Sequence, residues 1–125
     1  MLKIQSDVQD FHQATDNPVG EKPANLSPER VELRISLIEE EARETAEALR
    51  AGDMLEAVDG IADLIYVAIG TAVELGVDLE DVWDEVQRAN MSKAGGPRRA
   101  DGKQLKPDGW RPPSHEPALL AQGWV

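Results

Sequence analysis

Three long stretches of the chain repeat apolar residues at spacings of three and four, the pattern of helices with one buried face. The first opens at "LSPER", where Ser27 is a natural N-cap and Pro28 takes the first helical position, at which a missing N–H costs nothing. Val31, Leu33, Ile35, Leu37, Ile38, Ala42, Ala46 and Leu49 follow, and from Ile35 onward they mark one stripe expected to be buried. The stretch stops at "AGD", with Gly52 placed for a left-handed cap. Asp53 caps the second helix, and Glu56 three residues later completes a capping box. "MLEAVDGIADLIYVAIGTAVELG" then stays apolar almost all round, which predicts burial on every side, in the centre of a bundle or against a partner subunit. Gly60 and Gly70 each cost roughly 1 kcal/mol of helix propensity relative to Ala, which close helix–helix contact would explain. Gly76 ends this helix. Asp78 caps the third, "LEDVWDEVQRANMSKA", with Leu79, Val82, Trp83, Val86 and Ala89 as its apolar stripe.

Weaker patterns flank these three. "IQSDVQDFHQAT" reads as a further helix with Ile4, Val8, Phe11 and Thr15 on one face, linked onward by "DNPVGEKPANL". After Lys93 the periodicity is lost. "GGPRRADGKQLKPDGWRPPSHEP" is rich in Gly, Pro and basic residues and reads as an arm, not a packed helix. No strand pattern or repeat stands out. The expectation is an all-α bundle of about four helices per subunit, completed by oligomerisation, with a domain over 1–94 and an arm over 95–125.

Charge narrows the partners. The 125 residues suffice for one domain, and 24 acidic against 13 basic side chains give a net charge of −11. Binding to nucleic acid needs a basic footprint, so no nucleic-acid partner is expected; an anionic ligand would need bridging cations. Without cysteine there is no disulfide framework and no thiolate metal site. The chain begins with no basic-then-apolar leader and has no apolar run of membrane-spanning length. No membrane partner is expected, and the expected location is the cytoplasm.

"LIEEEARETAEAL" then raises a question of repulsion. Glu40 and Glu44 are four apart and Glu41 and Glu44 three apart, so all three point into one small volume. A solvated acidic face is the plain explanation. The next helix argues for more. Asp59 and Asp63, also four apart, interrupt the most apolar helix of the chain, and no Lys or Arg lies between Asp53 and Glu85 to pair with them there. Helices joined by so short a loop pack antiparallel. The glutamates stand about two turns before the loop and the aspartates a similar distance after it, so the two clusters face each other. Oxygen-only donors in this number suit Mg2+ or Mn2+, one to three ions clamping a polyphosphate. His12 and His115 are too scattered for a zinc site.

Glu40-Glu41-Ala42-Arg43-Glu44, followed by a paired acid in "ADLIYV", resembles the all-α nucleoside triphosphate pyrophosphatases: MazG-like proteins, phosphoribosyl-ATP pyrophosphohydrolase and the dimeric dUTPases. The family's second motif is usually Glu-x-x-Asp. Asp63 matches its last acid, but Gly60 stands three before it and the nearest acid is Asp59; Glu56 and Asp59 have the literal spacing one turn earlier. "NMSK" is similar to the Asn-x-x-Lys that contacts phosphates in relatives, here Asn90 and Lys93, and "DGKQLKPDGW" is similar to the tail of phosphoribosyl-ATP pyrophosphohydrolase-like members.

The resemblance implies cleavage between the α- and β-phosphates, giving a nucleoside monophosphate and pyrophosphate. It implies Mg2+, with Mn2+ able to substitute, held by Glu40, Glu41, Glu44 and Asp63, with Asp59 for the usual Glu, and Glu40 or Glu41 taking a proton from water. It implies a homodimer or homotetramer. Lys103 and Lys106, with Arg98 and Arg99, are either a solvated arm or one that closes over the polyphosphate, in its own or a neighbouring subunit. Gln9, Phe11 and His12 sit where relatives build part of the base pocket, although Phe11 could as well be core. Trp83 reads as core, Trp110 as an anchor for the tail, and Tyr66 as core or a phosphate-facing hydroxyl. The leading function is a metal-dependent nucleotide pyrophosphohydrolase, of a house-cleaning kind. The alternatives are phosphoribosyl-ATP hydrolysis, a dUTPase-like enzyme, or a non-catalytic acidic bundle that binds a protein.

Overall fold

A computed structural model describes all 125 residues. Its helices are α1 (Lys3–Ala14), α2 (Pro28–Ala51), α3 (Met54–Leu75), α4 (Leu79–Met91) and a short α5 (Glu116–Ala121). There is no strand, only one isolated bridge in the arm between Arg98 and Gln104. The all-α expectation holds, with α5 an element that periodicity did not suggest.

Local chemistry sets the helix ends. Ser27 accepts the Arg30 N–H at 3.4 Å, and Gly52 and Gly76 adopt φ of 68° and 73° as left-handed caps. Asp53 accepts the Glu56 N–H at 3.1 Å, but the reciprocal half of the capping box is missing because the Asp53 N–H is taken by the Ala48 carbonyl. α4 stops at Met91, and residues 92–96 form a turn instead of the last helical turn expected there.

The main packing is α2 on α3 and α1 on α3. A Cβ on Gly60 would lie 2.6 Å from Thr45 Oγ1, and Arg34 reaches Thr71 Oγ1 at 3.1 Å. These two contacts fix an antiparallel register in which Arg34, Ile38, Glu41, Thr45 and Ala48 face Ala57, Gly60, Leu64, Val67, Thr71 and Glu74. The α2 stripe expected from Ile35 to Leu49 is therefore rotated: Arg34, Thr45 and Ala48 are buried, while Ile35 and Leu49 are exposed. Likewise α1 buries Gln5, Val8 and His12 and leaves Ile4 and Phe11 exposed.

Buried polar groups explain both rotations. Glu74, whose side chain is fully buried, accepts two bonds from Arg30 (2.8 and 2.7 Å) and one from Arg34 Nη1 (3.1 Å). Arg34 also donates to Thr71 Oγ1 and to the Val67 carbonyl at 2.7 Å. Gln5 donates to the Val77 carbonyl at 2.7 Å and accepts the Leu79 N–H at 2.9 Å. From the other end of the chain, Gln122 accepts the Asp78 N–H at 2.8 Å and donates to the Asp78 carbonyl at 2.9 Å. Two amides thus clamp one turn, from α1 and from the residue that caps α5.

The remaining side of α3 is bare. Val58, Ile61 and Ile65 are 51%, 44% and 48% exposed, so the expected burial on every side is absent within one chain. Ile65, Ala68, Ala72, Val82, Trp83 and Val86 line a wholly apolar groove of about 500 Å³ between α3 and α4. The chain exposes 8577 Å². A folded monomer of 13.7 kDa would expose about 6,600 Å². No helix is long and apolar enough to cross a membrane.

Candidate metal and phosphate site

The α2–α3 register delivers the carboxylates to one place. Glu44, Glu47, Asp53, Glu56, Asp59 and Asp63 surround an open cleft of about 340 Å³ at the loop end of the hairpin, floored by Ala48 and Gly60. Glu40, Glu44, Asp59 and Asp63 are exposed, whereas Glu41 points into the helix seam and is half-buried. Its Oε2 is buried with no hydrogen-bond partner. Burial, then the charges of Glu44, Asp63, Glu40 and Asp59 in that order, raise the Glu41 carboxyl above its ordinary value. The other four carboxylates singled out in the sequence, from both helices, thus all bear on Glu41.

No three of these carboxylates draw close enough in the single chain to enclose a cation. They form an open ring rather than a finished cage. The donor set nevertheless fits a hard cation: it is oxygen only, it carries uncompensated negative charge, and it includes an orphaned, partly desolvated carboxylate oxygen that a cation would satisfy. Glu47, Asp53 and Glu56 also face the cleft, and Glu47 and Asp53 lie outside the acidic motifs of the sequence. Their signal was present in the i, i+3 spacing of Glu44 to Glu47 and in the tightness of the loop.

The other singled-out residues lie elsewhere. Asn90 in the last turn of α4 and Lys93 just past its end stand together, Lys93 Nζ donating to Asn90 Oδ1 at 3.0 Å. Lys93 and Lys106 both lie against the Trp110 ring, 5.3 and 4.8 Å from its centroid. Trp110 is fixed by its indole N–H donating to the Ala89 carbonyl at 2.8 Å. Lys103 is exposed and stays outside this group. Gln9 lines a separate depression beside the α3–α4 turn. Phe11 meets Tyr66 edge to face at 5.6 Å on the surface. His12 is buried with Nδ1 bonded to the Pro18 carbonyl at 2.9 Å, so it holds the following loop and does not join Gln9 and Phe11 in one pocket. Trp83, expected in the core, is 60% exposed on the bare groove.

Comparison with known proteins adds one match. A family model described as phosphoribosyl-ATP pyrophosphohydrolase matches residues 8–90, a span that includes every carboxylate of the cleft and Asn90 but ends before the arm. No curated protein matches the chain.

Proposed function

We propose that this chain, which belongs to the phosphoribosyl-ATP pyrophosphohydrolase family and so to the pyrophosphohydrolases that act on phosphoric anhydrides, is a Mg2+-dependent nucleotide enzyme cleaving between the α- and β-phosphates. The observation that carries the proposal is the raised, half-buried Glu41 amid four other carboxylates contributed by two helices. Glu40, Glu41, Glu44, Asp59 and Asp63 are the residues that would hold Mg2+, with Mn2+ as a substitute; the ion supplies charge neutralisation at the phosphates and acidifies water. The exposed side chains of Glu44, Asp59 and Asp63 are free to turn inward around a ligand.

Glu41 suits the role of proton acceptor better than Glu40. A carboxylate made more basic than usual takes a proton from water more readily near neutral pH, and Glu41 is so perturbed by burial and by its neighbours. Hydrolysis then releases a nucleoside monophosphate and pyrophosphate. The reading includes a self-association. The chain exposes about 2,000 Å² more than a compact monomer of its mass, and an apolar groove runs along α3 and α4. An excess of that size matches an obligate subunit interface, so a second copy, in a homodimer or a homotetramer, is the occupant proposed for that face.

A panel of nucleoside triphosphates together with phosphoribosyl-ATP, assayed for pyrophosphate release with Mg2+ and with a chelator, tests the activity. Release from at least one compound, abolished by the chelator, is expected. No release from any of them would refute the enzymatic reading and favour an acidic bundle that binds a protein.

A further inference from the structure

We propose that Thr45 is a positioning residue of the carboxylate cleft. Its hydroxyl, tied to the Glu41 carbonyl and seated against the bare backbone of Gly60, sets the spacing at which acids of α2 and α3 share a divalent cation. The inference rests on the metal-dependent reading proposed above and deepens it, since Thr45 belongs to none of the acidic motifs.

Two poor helix formers meet at this point. A β-branched Thr and a Gly each cost helix propensity relative to Ala, so both need a reason to stand in the middle of a helix. Thr45 is 7% exposed, and Gly60 is buried opposite it. Thr45 Oγ1 donates to the Glu41 carbonyl at 2.6 Å, which fixes its rotamer on the turn that carries Glu41 and Glu44. The same oxygen lies 2.6 Å from the point that a Cβ of residue 60 would occupy, with Thr45 Cα and Cβ at 3.1 and 3.3 Å from it. No side chain fits at residue 60 unless something shifts. The α3 backbone therefore rests directly on Thr45.

That contact is level with the acids. Glu41 and Glu44 precede Thr45 by four and one residues, and Asp59 and Asp63 stand one before and three after Gly60. Ala48 and Ala57, both buried, add little bulk to the seam, so one hydroxyl sets the gap between the two acid-bearing turns. Glu41, one turn before Thr45, is the only one of the five carboxylates drawn into the seam, where its Oε2 has no partner. Small hard cations demand near-ideal geometry at short range, so ligands from two helices serve one ion only within a narrow range of separation. The contact also accounts for the break in the second motif. With Thr45 against it, residue 60 has no room for the acid that stands three before Asp63 in relatives, and that task falls to Asp59.

Binding of Mn2+ alone to the full chain, followed by electron paramagnetic resonance of the free ion, provides the test. The parent is expected to bind with a Kd below about 1 mM. Thr45→Val keeps the shape and loses the hydroxyl, and should weaken Mn2+ by about tenfold or more, as loss of a ligand's supporting partner does. Thr45→Ser keeps the hydroxyl and should stay within about threefold of the parent. Gly60→Ala should weaken Mn2+ by about tenfold in the parent but by less than about threefold in a Thr45→Ala background, where the new Cβ meets no hydroxyl. A purely structural Thr45 would lower the melting temperature without moving the affinity of the folded chain. Thr45→Val within about twofold of the parent therefore overturns the proposal, and so does Thr45→Ser as weak as Thr45→Val. If Thr45→Val does not fold, the two Gly60→Ala measurements decide, and equal losses in both backgrounds overturn it. The two readings fail separately. Weakened Mn2+ binding in Thr45→Val beside a parent that hydrolyses no nucleotide keeps the positioning role and removes the enzyme. Hydrolysis by the parent with unchanged Mn2+ affinity in Thr45→Val keeps the enzyme and removes the positioning role.

Discussion

Replacing Glu74 by Gln tests what holds the α2–α3 register. The carboxylate is fully buried and receives three N–H donors from Arg30 and Arg34. Gln offers one acceptor oxygen in place of two and turns an NH2 toward guanidinium groups. Removing one partner of a buried pair typically costs 3–5 kcal/mol, because a charge is left behind without compensation. The lower end applies here. Arg30 is 28% exposed and regains water, while Arg34 keeps Thr71 and the Val67 carbonyl. The expected loss is therefore about 3 kcal/mol, which lowers the melting temperature of a chain this size by roughly 10 °C. Arg30→Gln should cost less, about 1 kcal/mol, since Glu74 retains Arg34. Urea denaturation of the three proteins at one fixed concentration measures the differences. If Glu74→Gln loses less than about 1 kcal/mol, the triad does not hold the helices and the register argument fails.

Asp63→Ala should abolish pyrophosphate release while leaving the metal-free protein at least as stable as the parent, and Mg2+ should raise the melting temperature of the parent only; equal responses of both proteins would remove Asp63 from the site. Glu44→Gln should likewise be folded and inactive, and unchanged turnover at saturating Mg2+ would exclude it. Carboxyl NMR of metal-free protein should show Glu41 titrating above its ordinary value of 4.5 and Glu85 near 2, the latter held down first by Arg88 and then by the Ser114 N–H. The signs are opposite: Glu85 stabilises the fold above pH 4.5 and loses that contribution as pH falls toward 2, whereas the strain at Glu41 is absent below pH 4.5 and grows as pH rises through its folded value. Ordinary midpoints for both would refute these environments. Gly60→Ala should cost about 1 kcal/mol net, where propensity alone would gain as much, because its Cβ meets Thr45; a stabilised variant would show the helices are not in close contact. Light scattering at micromolar concentration should give at least twice the chain mass, and a monomer would leave the groove beside Trp83 without its proposed occupant.

What could be read without coordinates was what short range decides. Ser27, Gly52, Asp53, Gly76 and Asp78 ended helices where their own side chains or φ angles allow, and the hairpin loop alone set the acidic clusters face to face. The helix faces were misjudged where a polar residue is buried by a distant partner. Arg34 is buried for Glu74, 40 residues away, and Gln5 for Val77, 72 residues away. Apolar periodicity holds no record of such bonds. The same limit applied to the arm: Trp110 as an anchor could be inferred from its setting among prolines, but the meeting of Lys93 and Lys106 on its ring depends on how the arm folds back on α4.

The clamp on the α3–α4 turn changes how the arm should be regarded. Gln122 is bonded to Asp78, Ser114 to Glu85 and Trp110 to Ala89, so the segment after α4 returns along that helix in three steps. It is a strap fastened at intervals, not a free tail. The basic loop between Arg98 and Lys103 is exposed throughout and offers trypsin several sites. A cut there would leave the C-terminal fragment attached at those three points, and the nicked protein would still elute as one species.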